Sequence, residues 1–281
     1  MIYLIINHKI YNIIIEYVKS INNNILDSKI LIFPREMIKK INNEDKYIYF
    51  GMHYIKYPVY NLKNIYFVNL EQLTINGKYS SLNLLQDLLF FVKKNSNCNI
   101  LDYSLGNISI LKEHNIKSMY IPYQVNYDEI FNYEKKINFV ICSTLNHRAN
   151  LIFKNISNKI DNCVYIGKPL LWGTNRDNIL FKSKVLANIH NKDKIYNILE
   201  EIRLTRCILN KIIVISEYSY EYEKYPLHKY VIFVEYDKME NKIMEVLNNY
   251  EHYYNKIYNN LNIDEIDKIL KSYIYIFLKT L

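Results

Sequence analysis

The sequence predicts an α/β fold built from two doubly wound parallel sheets that face a cleft. Short apolar runs alternate with amphipathic stretches of helical length, which is the pattern of parallel strands joined by crossover helices. The alternation stops at a polar, aperiodic segment, residues 125–136, and then begins again. With five glycines and five prolines among 281 residues, the composition excludes a linker-rich or disordered chain.

The first half contains strand-like apolar runs. They cover residues 2–7, 29–33, 46–51, 64–72, 98–104 and 117–123. Helical spacing of apolar residues predicts helices near 9–23, after the capping residues Ser80 and Ser81, and near 105–114. A further short helix is expected to run through Ile38.

More strand-like runs follow the polar segment. They cover residues 138–144, 162–167, 184–190, 211–217 and 229–236. Helices are predicted over 146–159 and 193–210, and from Lys238 onward. The polar break therefore indicates two Rossmann-like domains, residues 1–128 and 129–256, followed by a terminal segment, 257–281.

The net charge of +8 and the isoelectric point near 9.0 favour an anionic partner such as nucleic acid, a membrane surface or a phosphorylated small molecule. A lysine-rich surface that reflects AT-rich codons is the equal alternative. The four cysteines form no C-x-x-C pair, so buried reduced thiols in a reducing compartment are expected, and no metal site is predicted. The apolar N-terminus is predicted to be a strand, and no apolar run reaches the roughly 18 residues of a membrane span.

Ligands of doubly wound sheets bind beyond the carboxyl ends of the strands, so polar residues at those ends are the candidate site. In the first half these residues are His53, Glu71 and Asp102, and in the second half they are Ser143, Thr144, Asn188, His190 and Glu217. The sequence holds no G-x-G-x-x-G and no Walker lysine loop, so the dinucleotide and P-loop interpretations lack support.

Two of these positions precede a helix. Ser143 and Thr144 stand just before a helix whose first turn carries Arg148, and a helix N-terminus with an added arginine binds phosphate. Plain helix capping is the alternative for the hydroxyls, and a structural hydrogen bond is the alternative for His190. Glu217 ends a buried strand, where a carboxylate has to meet solvent, a cation or a ligand hydroxyl.

The helix before Glu217 carries Glu200, Arg203 and Arg206 at helical spacing, so they are expected to share one face. One interpretation is a surface ion-pair stripe. The other directs the N-terminal half of the helix into the cleft. There an arginine suits a diphosphate, and Glu217 suits the two hydroxyls of a ribose.

In this order the motifs resemble the C-terminal half of GT-B fold glycosyltransferases, the nucleotide-sugar-dependent group with family-4-like and family-1-like members. The motifs are S-T-x-x-x-R, KVLANIH, E-x-x-R, KIIVISE and VIFVEY. The pieces NIYFVNLEQL and ILDYSLGNISILKEHNI resemble the N-terminal half, so the resemblance spans roughly residues 46–250. Arg206 stands near the place of a second glutamate in many members, and Asn210-Lys211 replaces the usual glycine.

The resemblance implies a metal-independent hexosyltransferase that moves a sugar from a nucleotide-diphosphate donor to an acceptor hydroxyl, without a cofactor. It implies that residues 1–128 bind the acceptor, which is a glycan, a protein or a small molecule, and that residues 129–256 bind the donor. It also implies that the helix in 257–281 crosses back to pack on the first domain. A helix on a membrane surface is the alternative, which the lack of a basic face disfavours.

The resemblance also implies residue roles. The donor-binding residues are Ser143, Thr144, Arg148, Asn188, His190, Glu200 and Glu217. Arg203 neutralises the leaving diphosphate, and His53, Glu71 and Asp102 contact the acceptor or act as general base.

Two other classes of function stay open. The departures at Arg206 and Asn210 favour a catalytically degenerate module that binds carbohydrate or a protein partner. A nucleic-acid-binding protein ranks third, because the basic residues are dispersed and no nucleic-acid motif occurs. The expected compartment is the cytoplasm, or the host cytoplasm or virion for a viral chain. The donor sugar, the acceptor and the stereochemical outcome stay open.

Overall fold

The computed structural model describes residues 1–33, 44–51, 64–73, 84–95, 98–144, 146–167, 173–191 and 197–281. The chain divides into two compact units. The first unit comprises residues 1–126, 194–202 and 267–281, and the second unit comprises residues 127–193 and 203–266. Each unit contains one parallel sheet with helices packed against it.

The sheet of the first unit contains six parallel strands in the described chain. They are β1 (Ile2–Asn7), β2 (Ser28–Phe33), β3 (Lys46–Phe50), β4 (Ile65–Asn69), β5 (Asn99–Asp102) and β6 (Ser118–Tyr120). The helices between them are α1 (Tyr11–Asn22), α2 (Leu84–Lys94) and α3 (Leu105–Glu113). Across the sheet the strands lie in the order β2-β1-β3-β4-β5-β6.

The sheet of the second unit contains five parallel strands in the described chain. They are β7 (Ile137–Cys142), β8 (Cys163–Ile166), β9 (Ser183–Asn188), β10 (Ile213–Glu217) and β11 (Val231–Val234). The helices of the second half of the chain are α4 (His147–Ser157), α5 (Gly173–Leu180), α6 (Glu201–Leu209), α7 (Tyr236–Asn248), α8 (Tyr250–Tyr258) and α9 (Ile263–Leu278). The strand order is β11-β10-β9-β7-β8.

Both sheets have the same strand order. Counted from the first strand of each unit, the order is 2-1-3-4-5, with a sixth strand added in the first unit. It reverses beside the first strand, between β1 and β3 and again between β7 and β9. Ligands of such sheets bind at this switch point, outside the carboxyl ends of the strands. The predicted fold class, an α/β protein with two Rossmann-like parts, is confirmed.

Central strands such as β4 and β10 are buried along their whole length, as their continuous apolar runs predict, whereas the edge strand β2 is partly exposed. Val214 and Ile215 in β10 have no exposed surface, and α1 buries Ile14, Val18 and Ile21 at helical spacing. Each such side chain contributes about 1.5–3 kcal/mol to folding through burial. These cores fix the strands, and the strands fix the positions of the polar residues at their carboxyl ends.

One helix differs from its prediction. The sequence predicts a helix over 193–210, but residues 197–200 are not helical and α6 begins at Glu201. Ile198 and Leu199 are buried in the non-helical part, so burial of this segment produced the apolar pattern that suggested a longer helix. Glu200 therefore precedes the helix and does not share its face with Arg203. The predictions for Ser80, Ser81 and Ile38 fall outside the described residues.

The chain ends in helices α7, α8 and α9. From residue 267 onward it belongs to the first unit. There the rings of Phe277 and Tyr66 meet edge-on with 5.2 Å between centroids, and the Tyr66 hydroxyl donates to the Thr280 backbone oxygen at 3.2 Å. Tyr273 meets Tyr120 in the same way at 4.9 Å. Among the described residues, no helix combines the length and the apolar character needed to cross a membrane.

Candidate functional site

A buried carboxylate ends strand β10. Glu217 is 6% exposed, and Arg148 Nη2 donates to its Oε1 at 2.5 Å. Its Oε2 accepts from the backbone N–H of His190 at 2.7 Å. A buried carboxylate without such partners destabilises a fold severely. The strand can end in glutamate because an arginine from α4 and an amide from the segment after β9 both reach the carboxylate.

Arg148 lies in the first turn of α4 and has further contacts in the second unit. Its guanidinium lies 4.0 Å from the centre of the Tyr236 ring, and the Tyr236 hydroxyl donates to the Arg148 backbone oxygen at 3.1 Å. Stacking on an aromatic face leaves the guanidinium edge for anionic partners. The position of Arg148 is therefore set by Glu217 and Tyr236 together.

A cleft of about 490 Å³ opens beside Arg148 in the second unit. Its lining consists of His147, Arg148, Leu151, Glu235, Tyr236 and Asp237. Helices α4 and α7 both begin at this cleft. An aromatic ring, an aliphatic side chain and charges of both signs line it, and such a mixture suits a polar organic ligand.

Ser143 and Thr144 follow β7, beside the switch point of the second sheet. Ser143 Oγ lies 3.0 Å from the Tyr165 hydroxyl, and both hydroxyls donate to the Thr144 backbone oxygen, at 3.1 and 3.2 Å. The cap of α4 is Asn146, whose side chain accepts from the Ala149 N–H at 2.8 Å. The capping role that the sequence offered to Ser143 and Thr144 thus belongs to Asn146.

Asn188 and His190 end or follow β9 and are already hydrogen-bonded within the second unit. Asn188 Nδ2 donates to Ser216 Oγ at 2.9 Å. The Nε2 atom of His190 lies 3.2 Å from the Tyr218 backbone oxygen and 3.1 Å from Ser219 Oγ. Because a carbonyl oxygen only accepts, Nε2 carries a proton and donates to it. The structure therefore groups Arg148, His190 and Glu217, with Asn188 on the neighbouring Ser216.

The two arginines of α6 have different surroundings. Arg206 is 5% exposed, and its Nη2 lies 2.8 Å from Glu129 Oε2 and 2.8 Å from Asp177 Oδ2. Arg203 is half-buried. Burial raises the pKa of the Cys207 thiol to about 12, and the charge of Arg203 opposes this rise.

The departures from the glycosyltransferase pattern have a structural explanation. Asn210 Nδ2 donates to the Glu129 backbone oxygen at 2.9 Å, and its Oδ1 accepts from the Phe131 N–H at 2.7 Å. Burial acts to raise the pKa of Asp177, but hydrogen bonds and charges from Arg176 and Arg206 outweigh it and lower this pKa. Arg206 and Asn210 thus anchor the segment 129–131 inside the second unit.

In the first unit a second buried carboxylate ends strand β5. Asp102 has no exposed surface; its Oδ2 accepts from Asn69 Nδ2 at 2.6 Å. Its Oδ1 accepts from Asn107 Nδ2 at 3.0 Å and from the Ser104 N–H at 2.9 Å. Burial raises the pKa of Asp102 to about 7, although these hydrogen bonds act to lower it.

The same two asparagines hold the segment after β4. Asn69 Nδ2 and Asn107 Nδ2 both donate to the Glu71 backbone oxygen at 2.9 Å. Asn69 Oδ1 accepts from the Glu71 N–H at 3.1 Å, and Asn107 Oδ1 accepts from the Leu73 N–H at 2.9 Å. The Glu71 side chain is half-buried, and the hydrogen bonds of Glu71 within the described residues are those of its backbone.

Two further glutamates lie in the first unit. Gln72 Nε2 donates to Glu200 Oε1 at 2.9 Å, so the structure groups Glu200 with the residues near Glu71. Glu201 is buried; Leu105 N–H donates to its Oε1 at 2.9 Å and the Tyr120 hydroxyl to its Oε2 at 2.6 Å. Burial raises the pKa of Glu201 to about 8.

The strand-end pattern did not predict Glu201 or Asn107, because both lie in helices. The signal that could have found them is a polar side chain on the buried face of a helix. Together with the predicted residues, Glu201 adds to the carboxyl groups near the carboxyl edge of the first sheet. Burial, and then the charges of Glu200, Asp102, Glu201 and Glu71, raise the pKa of Tyr103 well above its ordinary value.

His53 lies outside the described residues. Where the chain is described, no group of three or more histidine, cysteine, aspartate or glutamate side chains is arranged to hold a metal ion. All four cysteines are free thiols.

Comparison with known proteins gives relatives in a giant virus. No family model matches the chain. Uncharacterized protein R358 of Acanthamoeba polyphaga mimivirus is 31% identical over 221 residues, which cover 76% of this chain and 73% of R358. Uncharacterized protein L137 of the same virus is 28% identical over 194 residues, 64% of this chain, but only 25% of L137.

Among solved structures, TarM superposes with a TM-score of 0.54 and 13% sequence identity, over 84% of this chain and 54% of the TarM chain. Its fold is of the GT-B type. At this identity the comparison shows a shared fold alone. The chain spans about half of the TarM chain, so activity, substrates and partners are matters for proposal.

Proposed function

We propose that the chain, which belongs to the same family as the mimivirus protein R358, is a glycosyltransferase that moves a sugar from a nucleotide-diphosphate donor to an acceptor hydroxyl. The observation that carries the proposal is the pair of parallel sheets with one strand order, each with charged side chains at the carboxyl ends of its strands. The shared fold with TarM supports it. We assign the acceptor to the domain 1–128 and the donor to the domain 129–256, with the segment 257–281 as an addition to the first.

The distribution of charged side chains supports an acceptor site in the first domain and a donor site in the second. The first unit carries a group of carboxyl side chains, and those of Glu71, Asp102, Glu200 and Glu201 all act on the pKa of Tyr103. A hydroxyl-bearing acceptor is favoured there, because carboxylates accept hydrogen bonds. In the second unit Arg148 and the N-terminus of α4 offer positive charge.

Each donor-side residue has a proposed role. Ser143, Thr144 and Arg148 bind the phosphates, and Asn188, His190 and Glu217 bind the nucleoside. Glu217 accepts from Arg148 and from the His190 N–H, and we propose that its carboxylate also accepts from the hydroxyls of the ribose. Glu200, the remaining proposed donor-binding residue, lies beside Gln72 in the first unit.

The leaving nucleotide carries the developing charge of the reaction. Arg203 and Arg148 are proposed to stabilise it, which is the task that a divalent cation performs in other transferases. The proposed enzyme is therefore a metal-independent hexosyltransferase that uses no cofactor. Its acceptor is a glycan, a protein or a small molecule, and His53, Glu71 and Asp102 are its acceptor-side residues. Free thiols suit a reducing compartment, and we place the reaction in the cytoplasm of a host cell or in a virion.

The experiment is a donor screen. UDP, GDP and ADP are tested for a rise in the melting temperature, and mass spectrometry then detects nucleotide released from the matching sugar donors. Arg148→Ala is expected to remove the rise, and Lys154→Ala, an exposed change on the same helix, is expected to keep it. No rise with any of the three nucleotides would contradict the proposal.

A second candidate is a non-catalytic binding module for carbohydrate or a protein partner. The buried pairs of Arg206 with Glu129 and Asp177 favour it, because they give a structural role to the position where many glycosyltransferases carry a glutamate. Nucleotide binding without release of nucleotide from any sugar donor would support this candidate over the enzyme.

A further inference from the structure

We propose that Glu71 is the general base that contacts the acceptor hydroxyl, and that Asp102 is a positioning residue. Asp102 acts through Asn69 and Asn107, which hold the loop that carries Glu71. The inference rests on the proposed sugar transfer, and it separates the roles of two carboxylates that the sequence offers as equals.

Asp102 itself is closed to a substrate. It has no exposed surface, and N–H groups of Asn69, Asn107 and Ser104 occupy its oxygens. An acceptor hydroxyl could reach it only after these bonds opened. Within the described part of the chain no cation pairs with Asp102, so its contacts are those of a hydrogen-bond hub.

Asp102, Asn69 and Asn107 form the hub, and the hub fixes the backbone of the loop after β4, residues 70–73. The Asn69 and Asn107 amide nitrogens each donate both to Asp102 and to the backbone oxygen of Glu71. Their oxygens accept the backbone N–H groups of Glu71 and Leu73. The backbone on both sides of the Glu71 side chain is thus fixed from a buried anchor.

The Glu71 carboxylate is the part of this arrangement without a described partner. It is half-buried at the carboxyl edge of the first sheet, next to β4, and the hydrogen bonds of Glu71 within the described residues are those of its backbone. A solvated surface glutamate does not require a backbone fixed by four hydrogen bonds. A substrate-contacting carboxylate does, because misplacement costs rate.

The reaction assigned to Glu71 is a proton transfer. The acceptor hydroxyl gives its proton to the Glu71 carboxylate as its oxygen bonds to the anomeric carbon. The bond from that carbon to the diphosphate oxygen breaks, and its electron pair leaves with the nucleoside diphosphate. Atoms and charges balance without an oxidant or a reductant.

Hydrogen exchange tests the hub without any substrate. At about pH 8, Asp102→Asn puts an N–H₂ group against the Asn69 or Asn107 donors, so the Leu73 amide is expected to exchange about tenfold faster. Glu201→Gln is the matched control, since it changes another buried carboxyl group of the first unit, one that accepts from Leu105 and Tyr120. Unchanged Leu73 exchange in Asp102→Asn would overturn the hub. If that variant does not fold, Asn107→Ala gives the same readout.

Turnover tests the role of Glu71. With a donor that the screen identifies, Glu71→Gln is expected to lower kcat by about 10²–10⁴-fold and to leave the KM for the donor unchanged. If Asp102 acts only through Glu71, the double variant loses no more than Glu71→Gln alone. Losses that multiply would overturn the positioning role. Absence of turnover with every donor would remove the role of Glu71 together with the proposed function, and the exchange experiment would still decide the hub.

Discussion

The Tyr120 hydroxyl donates a 2.6 Å hydrogen bond to Glu201, and this bond joins strand β6 to the first residue of helix α6 inside the first unit. Glu201 is buried, and its other oxygen accepts from the Leu105 N–H at the start of α3. One carboxyl group thus connects a strand and two helices. Its protonation state and its partners should therefore be visible in the stability of the chain.

Replacing Tyr120 by phenylalanine removes the hydroxyl and keeps the ring that packs edge-on against Tyr273. We expect Tyr120→Phe to lower the free energy of unfolding by about 1–3 kcal/mol, because a buried carboxyl loses a hydrogen bond. Urea unfolding measures the change. Tyr127→Phe is the control, since that hydroxyl bonds Asp264 on an exposed surface. Equal effects of the two substitutions would contradict this account.

Stability is expected to fall as the pH rises from about 5 to about 8. Burial raises the pKa of Asp102 to about 7 and that of Glu201 to about 8, above their values in the unfolded chain. In this window the folded chain binds more protons than the unfolded chain, so raising the pH favours unfolding. Above it, partial burial lowers the pKa of the half-buried Lys135 to about 8, and this acts in the opposite direction.

The check is urea unfolding across this pH range. Glu201→Gln is expected to flatten the upper part of the curve and Asp102→Asn the middle part, because each removes one titrating group. Asp128→Asn, which changes an exposed carboxyl group, is the control. A free energy of unfolding that rises between pH 5 and pH 8 would show that neither buried carboxyl binds its proton in the folded chain.

The sequence predicted the sheets because buried strands leave continuous apolar runs, and every predicted strand has a counterpart. It did not predict the start of α6, because Ile198 and Leu199 are buried outside a helix and mimic helical spacing. Periodicity reports burial and assigns secondary structure only indirectly.

The sequence predicted where the candidate site residues lie, but it did not predict which of them contact each other. The rule for strand ends selected Glu217, and the first turn of the helix after another strand selected Arg148; the two residues lie 69 residues apart in the sequence. That they pair with each other depends on the packing of α4 against the sheet, which a short motif does not encode. Asn107 shows the other limit, because a polar residue in a helix carries no strand-end signal.

The pair of Arg148 and Glu217 provides a stability prediction. Its side chains are 16% and 8% exposed, so Arg148→Ala leaves a buried carboxylate without its cation. We expect a loss of about 3–5 kcal/mol in the free energy of unfolding. Arg148→Met combined with Glu217→Gln should recover most of it, because no charge is then buried. The pair of Lys159 and Glu240 is more exposed, and Lys159→Ala should cost at most about 1 kcal/mol. If Arg148→Ala also lowered the free energy of unfolding by at most about 1 kcal/mol, water would have to reach the Glu217 carboxylate.

The thiols give a further test of the second core. Cys142 and Cys207 are buried, and Cys98 and Cys163 are half-buried. Burial raises the pKa of Cys98 to about 11 and that of Cys207 to about 12, so the reactive thiolate is scarce at neutral pH. We expect iodoacetamide to label Cys163 and Cys98 slowly in the native chain and Cys142 and Cys207 only in urea. Mass spectrometry of the digested peptides measures the order in which the four cysteines are labelled. Early labelling of Cys207 would contradict its position in the core.

Substitutions of the two arginines of α6 should distinguish a residue that stabilises the fold from a residue that binds the nucleotide. Arg206 has buried partners in Glu129 and Asp177, so Arg206→Lys is expected to lower the melting temperature and to preserve the rise that a nucleoside diphosphate causes. Lysine cannot reproduce two geometrically fixed guanidinium contacts, which explains the loss of stability. Arg203→Ala is expected to do the reverse. The side chain of Arg203 is half-buried, so the melting temperature without nucleotide should change little. The rise with UDP, GDP or ADP should disappear, because the diphosphate loses a cation. Thermal melting with and without each nucleotide measures both quantities in one experiment. If Arg203→Ala keeps the rise while Arg206→Lys removes it, the donor phosphates bind near Arg206 and its partners Glu129 and Asp177, and the assignment of Arg203 is wrong.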